Sequence, residues 1–342
     1  MEIALCGFHR AGKTSVFELL SHLAIPASEQ HKPHVTAVKL PDPRLDKLAR
    51  IFNPPKVTHI EFTFADFPGT DDSKFFSPDI LTKIKAADGL LLVLGAFPGY
   101  SGTGNPLGEL DALIEEMILT DLTTVENRLV RLKKEGRKDH EVELFERLKA
   151  ALESGKKLLE LNLSHDELKL LSGYSLLTLK PFFCAVNVGE DGLKSQASWE
   201  IELSKKNVVW GKVSAKIEIE LTEISESERE LFLQDLGVSE PASDRLLRNA
   251  VRALNLIAFY TVNERELRAW AIQEGASAYA AAGKIHTDIQ KGFVRAEVAH
   301  YEDIVSIGDL KKLKEQGKIG LEGKEYIVCD GDMIYFRFNP PQ

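Results

Sequence analysis

Gly7-Phe8-His9-Arg10-Ala11-Gly12-Lys13-Thr14 is the stretch that decides the fold. It meets every fixed position of G-x-x-x-x-G-K-[ST], and that spacing has a mechanism. The glycines let backbone N–H groups turn inward around phosphates, Lys13 reaches the β- and γ-oxygens, and the Thr14 hydroxyl ligates Mg²⁺. The start of a helix adds a favourable potential for an anion. The flanks agree with this reading. Glu2-Ile3-Ala4-Leu5-Cys6 is a short apolar strand before the loop, and Val16, Phe17, Leu19, Leu20 and Leu23 recur at helical spacing after it. His9, Arg10, Ala11, Gly12, Lys13, Thr14 and Ser15 are therefore expected around the phosphates of a purine nucleoside triphosphate.

Outward from this loop, apolar runs alternate with helical segments. Ile60 to Ala65, Gly89 to Leu94, Phe182 to Asn187 and Val208 to Val213 read as strands, the second almost wholly apolar as in a parallel sheet covered on both faces. The pattern predicts a doubly wound, mainly parallel α/β domain. Asp66-Phe67-Pro68-Gly69 follows the strand at Ile60, which places Asp66 to hold Mg²⁺ through water and the Gly69 N–H to sense the γ-phosphate. Asn187-Val188-Gly189-Glu190 stands where nucleotide switches of the G-protein type carry N-K-x-D. Val188 and Glu190 depart from that guanine clamp. Ser214-Ala215-Lys216, also after a strand, is similar to the loop that covers the base.

Between the strands at Gly89 to Leu94 and Phe182 to Asn187 the character changes. Leu122, Val125, Leu129 and Leu132 recur at coiled-coil spacing, Gly136 marks a turn, and Val142, Phe145, Leu148 and Leu152 recur beyond it. This predicts an antiparallel α-helical arm whose tip concentrates Arg128, Arg131, Lys133, Lys134, Arg137 and Lys138. After Asn263, strand-like runs at Trp270–Ile272, Gly292–Val298, Glu325–Val328 and Met333–Phe338, separated by turns, predict a small, mainly β domain.

The chain has 342 residues with 44% hydrophobic and 28% charged, the balance of a globular protein. Its net charge of −9 argues against a general nucleic-acid polycation, so RNA contact requires local basic patches such as the arm tip or Lys284, Lys291 and Arg295. No apolar run reaches the roughly 18 residues of a membrane span, so no membrane partner is expected. Met1 to Cys6 runs directly into the P-loop, leaving no room for a signal peptide. Cys6, Cys184 and Cys329 are odd in number and far apart, which predicts free thiols in the reducing cytoplasm.

Longer strings carry a resemblance. Leu40-Pro41-Asp42-Pro43-Arg44-Leu45-Asp46-Lys47-Leu48-Ala49 and Leu176-Leu177-Thr178-Leu179-Lys180-Pro181 are similar to signature segments of the YchF/Obg-like ATPase family, of the Obg branch of translation-factor-related P-loop proteins. So is Ala282-Gly283-Lys284-Ile285-His286-Thr287-Asp288-Ile289-Gln290-Lys291-Gly292-Phe293, with Tyr326-Ile327-Val328 and Asp330-Gly331-Asp332 beyond it. The resemblance covers nearly the whole length. It implies a nucleotide domain over 1–112 and 176–262, a helical arm over 113–175 and a β-grasp-like TGS domain over 263–342. It also implies preference for ATP over GTP, Mg²⁺-dependent NTP hydrolysis and a ribosomal, rRNA or translation-related partner.

The chain also departs from that family. His9-Arg10 replaces the usual Pro-Asn of the P-loop. The related Asn resembles a ligand for K⁺ beside the phosphates, so Arg10 is expected to stand in for that cation and to join Lys13 in catalysis. The C-T-I-E-P-N string of switch I is absent. Counting back from Pro41 places its lost Thr near Gln30 or His31, and Thr36 is the remaining hydroxyl that could ligate the metal. Thr70 follows Gly69 where many GTPases carry a water-orienting Gln. These departures define two expectations: a slow ATP-hydrolysing switch, or a nucleotide-binding interaction module whose hydrolysis has decayed.

Overall fold

The structure, a computed structural model, describes residues 1–67, 78–100, 102, 104–137, 139–238 and 240–339. Gly69, Thr70 and Lys138 lie outside the described residues. The chain forms two compact units: Met1–Val38 with Thr63–Ala250, and Lys39–Phe62 with Val251–Gln342.

The described residues form the strands β1 (Glu2–Gly7), β2 (His34–Lys39), β3 (Lys56–Thr58), β4 (Glu61–Asp66), β5 (Gly89–Ala96) and β6 (Phe182–Val188), then β7 (Val209–Val213), β8 (Leu256–Val262), β9 (Glu266–Gln273), β10 (Phe293–Ala299), β11 (Gly320–Glu322) and β12 (Met333–Phe338). The first unit is built on a sheet of order β2-β4-β1-β5-β6-β7. Its pairings β4 with β1, β1 with β5, β5 with β6 and β6 with β7 are all parallel. Leu90 to Leu94 are fully buried, as strands covered on both faces must be. The register aligns the strands' carboxyl ends: Leu5 lies opposite Asp66, Gly7 opposite Val93, Ala96 opposite Val188 and Asn187 opposite Val213. Ligands of open α/β sheets bind beyond that edge. The expected doubly wound α/β fold is present.

The arm follows β5. Its first helix, Pro106–Lys134, is 29 residues long and joins two cores. Leu110, Leu113 and Met117 pack beside the sheet, whereas Val125, Leu129 and Leu132 meet Leu144, Phe145 and Leu148 of the return helix His140–Glu153. The turn between them uses Gly136 at φ 70°. At the junction, the buried Asp121 carboxylate accepts from Leu177 N (2.8 Å), Thr178 N (2.7 Å) and Thr178 Oγ1 (2.7 Å), tying the arm helix to the returning chain.

The second unit has a mixed sheet of order β11-β10-β12-β8-β9-β3, with helix Ala278–Ile285 contributing Ala278, Ala281 and Ala282 to its core. Two features differ from the sequence reading. Segment 39–62 and strand β8 belong here rather than with the nucleotide domain. β8 reads as an apolar run that suits either sheet; its partners β9 and β12 decide the matter. Glu325–Val328 is not a strand but a turn with one bridge, Ser277 to Ile327, because Asp332 draws the segment in by accepting from Tyr326 Oη (2.8 Å) and Cys329 N (2.9 Å). Segment 39–62 is held by Tyr260 Oη donating to buried Asp42 (2.5 Å) and by Arg44 on Asp330 (2.7 Å), which also accepts from Ala258 N. Cys6 and Cys184 are buried free thiols and Cys329 is exposed.

Candidate nucleotide site

At the end of β1 the chain turns through a loop that only small residues permit. A Cβ on Gly7 would run into the Val93 carbonyl, and one on Gly12 (φ 95°) into the Asn187 amide. Arg10 also takes a left-handed conformation, φ 61°, which is unusual for a non-glycine residue and leaves its side chain exposed. Helix Lys13–Ser21 then starts directly beneath the loop. Lys13 Nζ donates to Gly7 O (3.1 Å) and Phe8 O (3.0 Å), so the ammonium is folded over the loop's own carbonyls. Burial lowers the Lys13 pKa, with Asp66 and Cys6 opposing that shift.

Thr14 Oγ1 donates to Asp66 Oδ2 at 2.7 Å, which joins the P-loop helix to the end of β4. Asp66 is 2% exposed, and its other oxygen, Oδ1, is buried without a hydrogen-bond partner among the described residues. Burial raises its pKa; the Thr14 hydrogen bond and the Lys13 charge pull the other way. An orphaned carboxylate oxygen beside a hydroxyl and an ammonium is a donor set that fits Mg²⁺ with phosphates.

A cavity of about 980 Å³ opens over this corner. Of the residues expected from sequence, His9, Arg10, Gly12, Lys13, Thr14 and Ser15 line it at the loop end. Asn187, Val188, Glu190, Ser214 and Lys216 line it at the far end. Ala11 and Ala215 stand behind the wall: Asn187 Nδ2 donates to Ala11 O (3.2 Å) and Asn187 Oδ1 accepts from Ala215 N (3.2 Å). This one buried amide therefore fixes the P-loop against the Ser214–Lys216 loop. Thr36 does not join them. It lies on β2, at the edge of the sheet, and the cavity wall on that side comes from Gln30 and His31, the positions to which the lost switch I Thr was traced.

Phe97, Pro98, Ile217, Ile219, Glu18 and Glu220 also line the cavity and were not singled out from sequence. Phe97 and Pro98 were within reach of sequence reasoning, since Phe97-Pro98-Gly99 directly follows a buried parallel strand, where binding loops stand. With Val188, Ile217 and Ile219 they supply the apolar part of the cavity wall, and Pro98 packs so closely on Gly189 that a Cβ there would sit 2.8 Å from its Cδ.

The family profile YchF-GTPase_C, described as a protein of unknown function (DUF933), matches residues 256–339. "Ribosome-binding ATPase YchF" of Pasteurella multocida is 36% identical over 98% of this chain and 98% of its own length. The chain belongs to the YchF family. The Bacillus subtilis protein of the same name is 34% identical, again over 98% of both chains. The solved Schizosaccharomyces pombe YchF GTPase has 25% identity and a TM-score of 0.84, covering 98% of this chain and 97% of its own. A GTP binding protein from Pyrococcus horikoshii, 17% identical with a TM-score of 0.61, shares the fold. Coverage of both units makes this chain a YchF protein throughout, with a P-loop NTPase domain, a helical arm and a C-terminal TGS domain.

The arm's charge is less available than its composition suggests. Arg128 pairs with Glu141 (2.6 Å), Arg137 with Asp139 (2.6 Å) and Glu141 (2.8 Å), and Lys133 with Glu146 (3.6 Å). Among the described residues no ion pair involves Arg131 or Lys134.

Proposed function

We propose that this YchF protein binds ATP with Mg²⁺ in the cavity, hydrolyses it slowly and uses the cycle as a conformational switch on the ribosome. The observation that carries the reading is the Thr14–Asp66 pair with its orphaned carboxylate oxygen beside Lys13. In this reading Lys13 leaves the Gly7 and Phe8 carbonyls for the β- and γ-oxygens, and backbone N–H groups of residues 9–14 hold the phosphates. Thr14 and Asp66 hold Mg²⁺, which supplies charge neutralisation for phosphoryl transfer. Arg10 lies at the cavity mouth as a permanently charged guanidinium and contributes a cation to the transition state. Val188, Phe97 and Pro98 take the base, and the loss of the guanine clamp favours adenine. The names of the relatives support a ribosome partner, with the TGS domain and the arm as the contacting parts.

A second reading, an interaction module with decayed hydrolysis, is favoured by the wall at Gln30 and His31, which presents no hydroxyl where a switch I Thr would stand. Single-turnover hydrolysis with and without ribosomes separates the two. The switch reading expects measurable ATP turnover that rises with ribosomes and vanishes in Lys13→Ala. ATP binding with no turnover in either condition would favour the decayed module.

A further inference from the structure

Glu109 is buried completely, an unusual place for a carboxylate, in the first turn of the arm helix Pro106–Lys134. Its Oε2 accepts the backbone N–H of Gly95 at 2.9 Å. Gly95 stands at the end of β5, two residues before Phe97 and Pro98 in the cavity wall. The wall is braced from the same side by Tyr100. Its ring packs at 5.2 Å from that of Phe97 and so close to Gly95 that a Cβ there would lie 2.5 Å away. The phosphate corner is built from other residues, Gly7, Lys13, Thr14 and Asp66.

We propose that Glu109 is a positioning residue for nucleotide recognition: from the root of the arm it grips Gly95 and sets the Phe97–Pro98 wall that receives the base. A buried acceptor on a backbone N–H resists displacement, because releasing it orphans two polar groups at once. The helix that supplies it is continuous over about 44 Å at 1.5 Å per residue and has its far half in the arm's own core, so the arm and the base wall share one rigid element. The inference rests on the nucleotide reading of the cavity.

The test separates base from phosphate. ATP and inorganic tripolyphosphate, each with Mg²⁺, are titrated into wild type, Glu109→Ala and Glu109→Gln. The alanine variant is expected to lose tenfold or more in ATP affinity and keep its tripolyphosphate affinity. The glutamine variant retains an oxygen for Gly95 N–H and is expected within threefold of wild type for both. Should Glu109→Ala fail to fold, Tyr100→Ala removes the ring that packs on Gly95 and Phe97, together with its interaction with Glu109, while leaving the Glu109 carboxylate in the helix, and is expected to show the same selective loss. Unchanged ATP affinity in a folded alanine variant, or equal loss of both ligands, would overturn the role of Glu109 while leaving the nucleotide site standing. A wild type that binds neither ligand would overturn the nucleotide reading and this inference with it.

Discussion

Burial holds the Asp66 carboxyl above its ordinary range, and Thr14 and Lys13 offset this only in part. A raised folded-state pKa gives stability that is fully present below the unfolded value of about 3.9 and is lost as pH rises through the raised value. Apoprotein stability should therefore decline over that window, and Asp66→Asn should flatten the decline and raise the melting temperature near neutrality by a few degrees. The same substitution should abolish Mg²⁺-dependent nucleotide affinity. Thermal melts across pH, paired with titrations, check both halves; an unchanged melting profile would contradict the assigned burial cost. Lys13→Ala and Thr14→Ala should each lose Mg-nucleotide binding with the fold intact, since neither side chain belongs to the core. Arg10 is tested by hydrolysis in Na⁺ and K⁺. The wild type should be indifferent to the cation, and Arg10→Asn should slow and become K⁺-dependent. A K⁺-stimulated wild type would remove Arg10 from the mechanism. The P-loop residues were legible because they are contiguous and their geometry is local, whereas Phe97 and Pro98 join them only through the alignment of β5 with β1 and β6.

The arm shows what periodicity gives and what it leaves out. Leucine and valine spacing with Gly136 between the runs located both helices. The pairing of Arg128 and Arg137 with Glu141 needs the two helices packed, and composition alone left those charges free. Two consequences follow for measurement. Reversing Arg131 and Lys134 to Glu should lower the slope of log ribosome affinity against log salt by roughly one to two units, while Lys133→Glu, already paired, should change it less. Equal effects from all three positions would mean that the internal pairs do not screen the arm. Asp121→Ala leaves the buried Leu177 and Thr178 N–H groups without their acceptor. It should cost about 1–3 kcal/mol for each group left unsatisfied, read by chemical denaturation, and an effect under 0.5 kcal/mol would argue that water replaces the carboxylate.

For the whole molecule, the chain crosses between units three times, so sequence order and folding units part company. The sequence reading cut at 262, between β8 and β9, because apolar alternation does not say which sheet a strand joins. In the structure that cut separates two strands paired from Leu256–Gln273 to Val262–Leu267. A chain ending at Ala250 would also leave segment 39–62 without β9, Tyr260 and Asp330. It is expected to be soluble only in part and to melt well below the full chain; a cooperative fold of equal stability would contradict this. The most direct test of the central claim is calorimetric titration of the full chain with ATP and with GTP, each with and without Mg²⁺. Loss of a matched hydrogen-bond pattern to guanine corresponds to about 1–3 kcal/mol, so the account predicts ATP tighter than GTP by roughly 5- to 150-fold and strongly weakened binding without Mg²⁺. Equal affinities, tighter GTP or indifference to Mg²⁺ would contradict it.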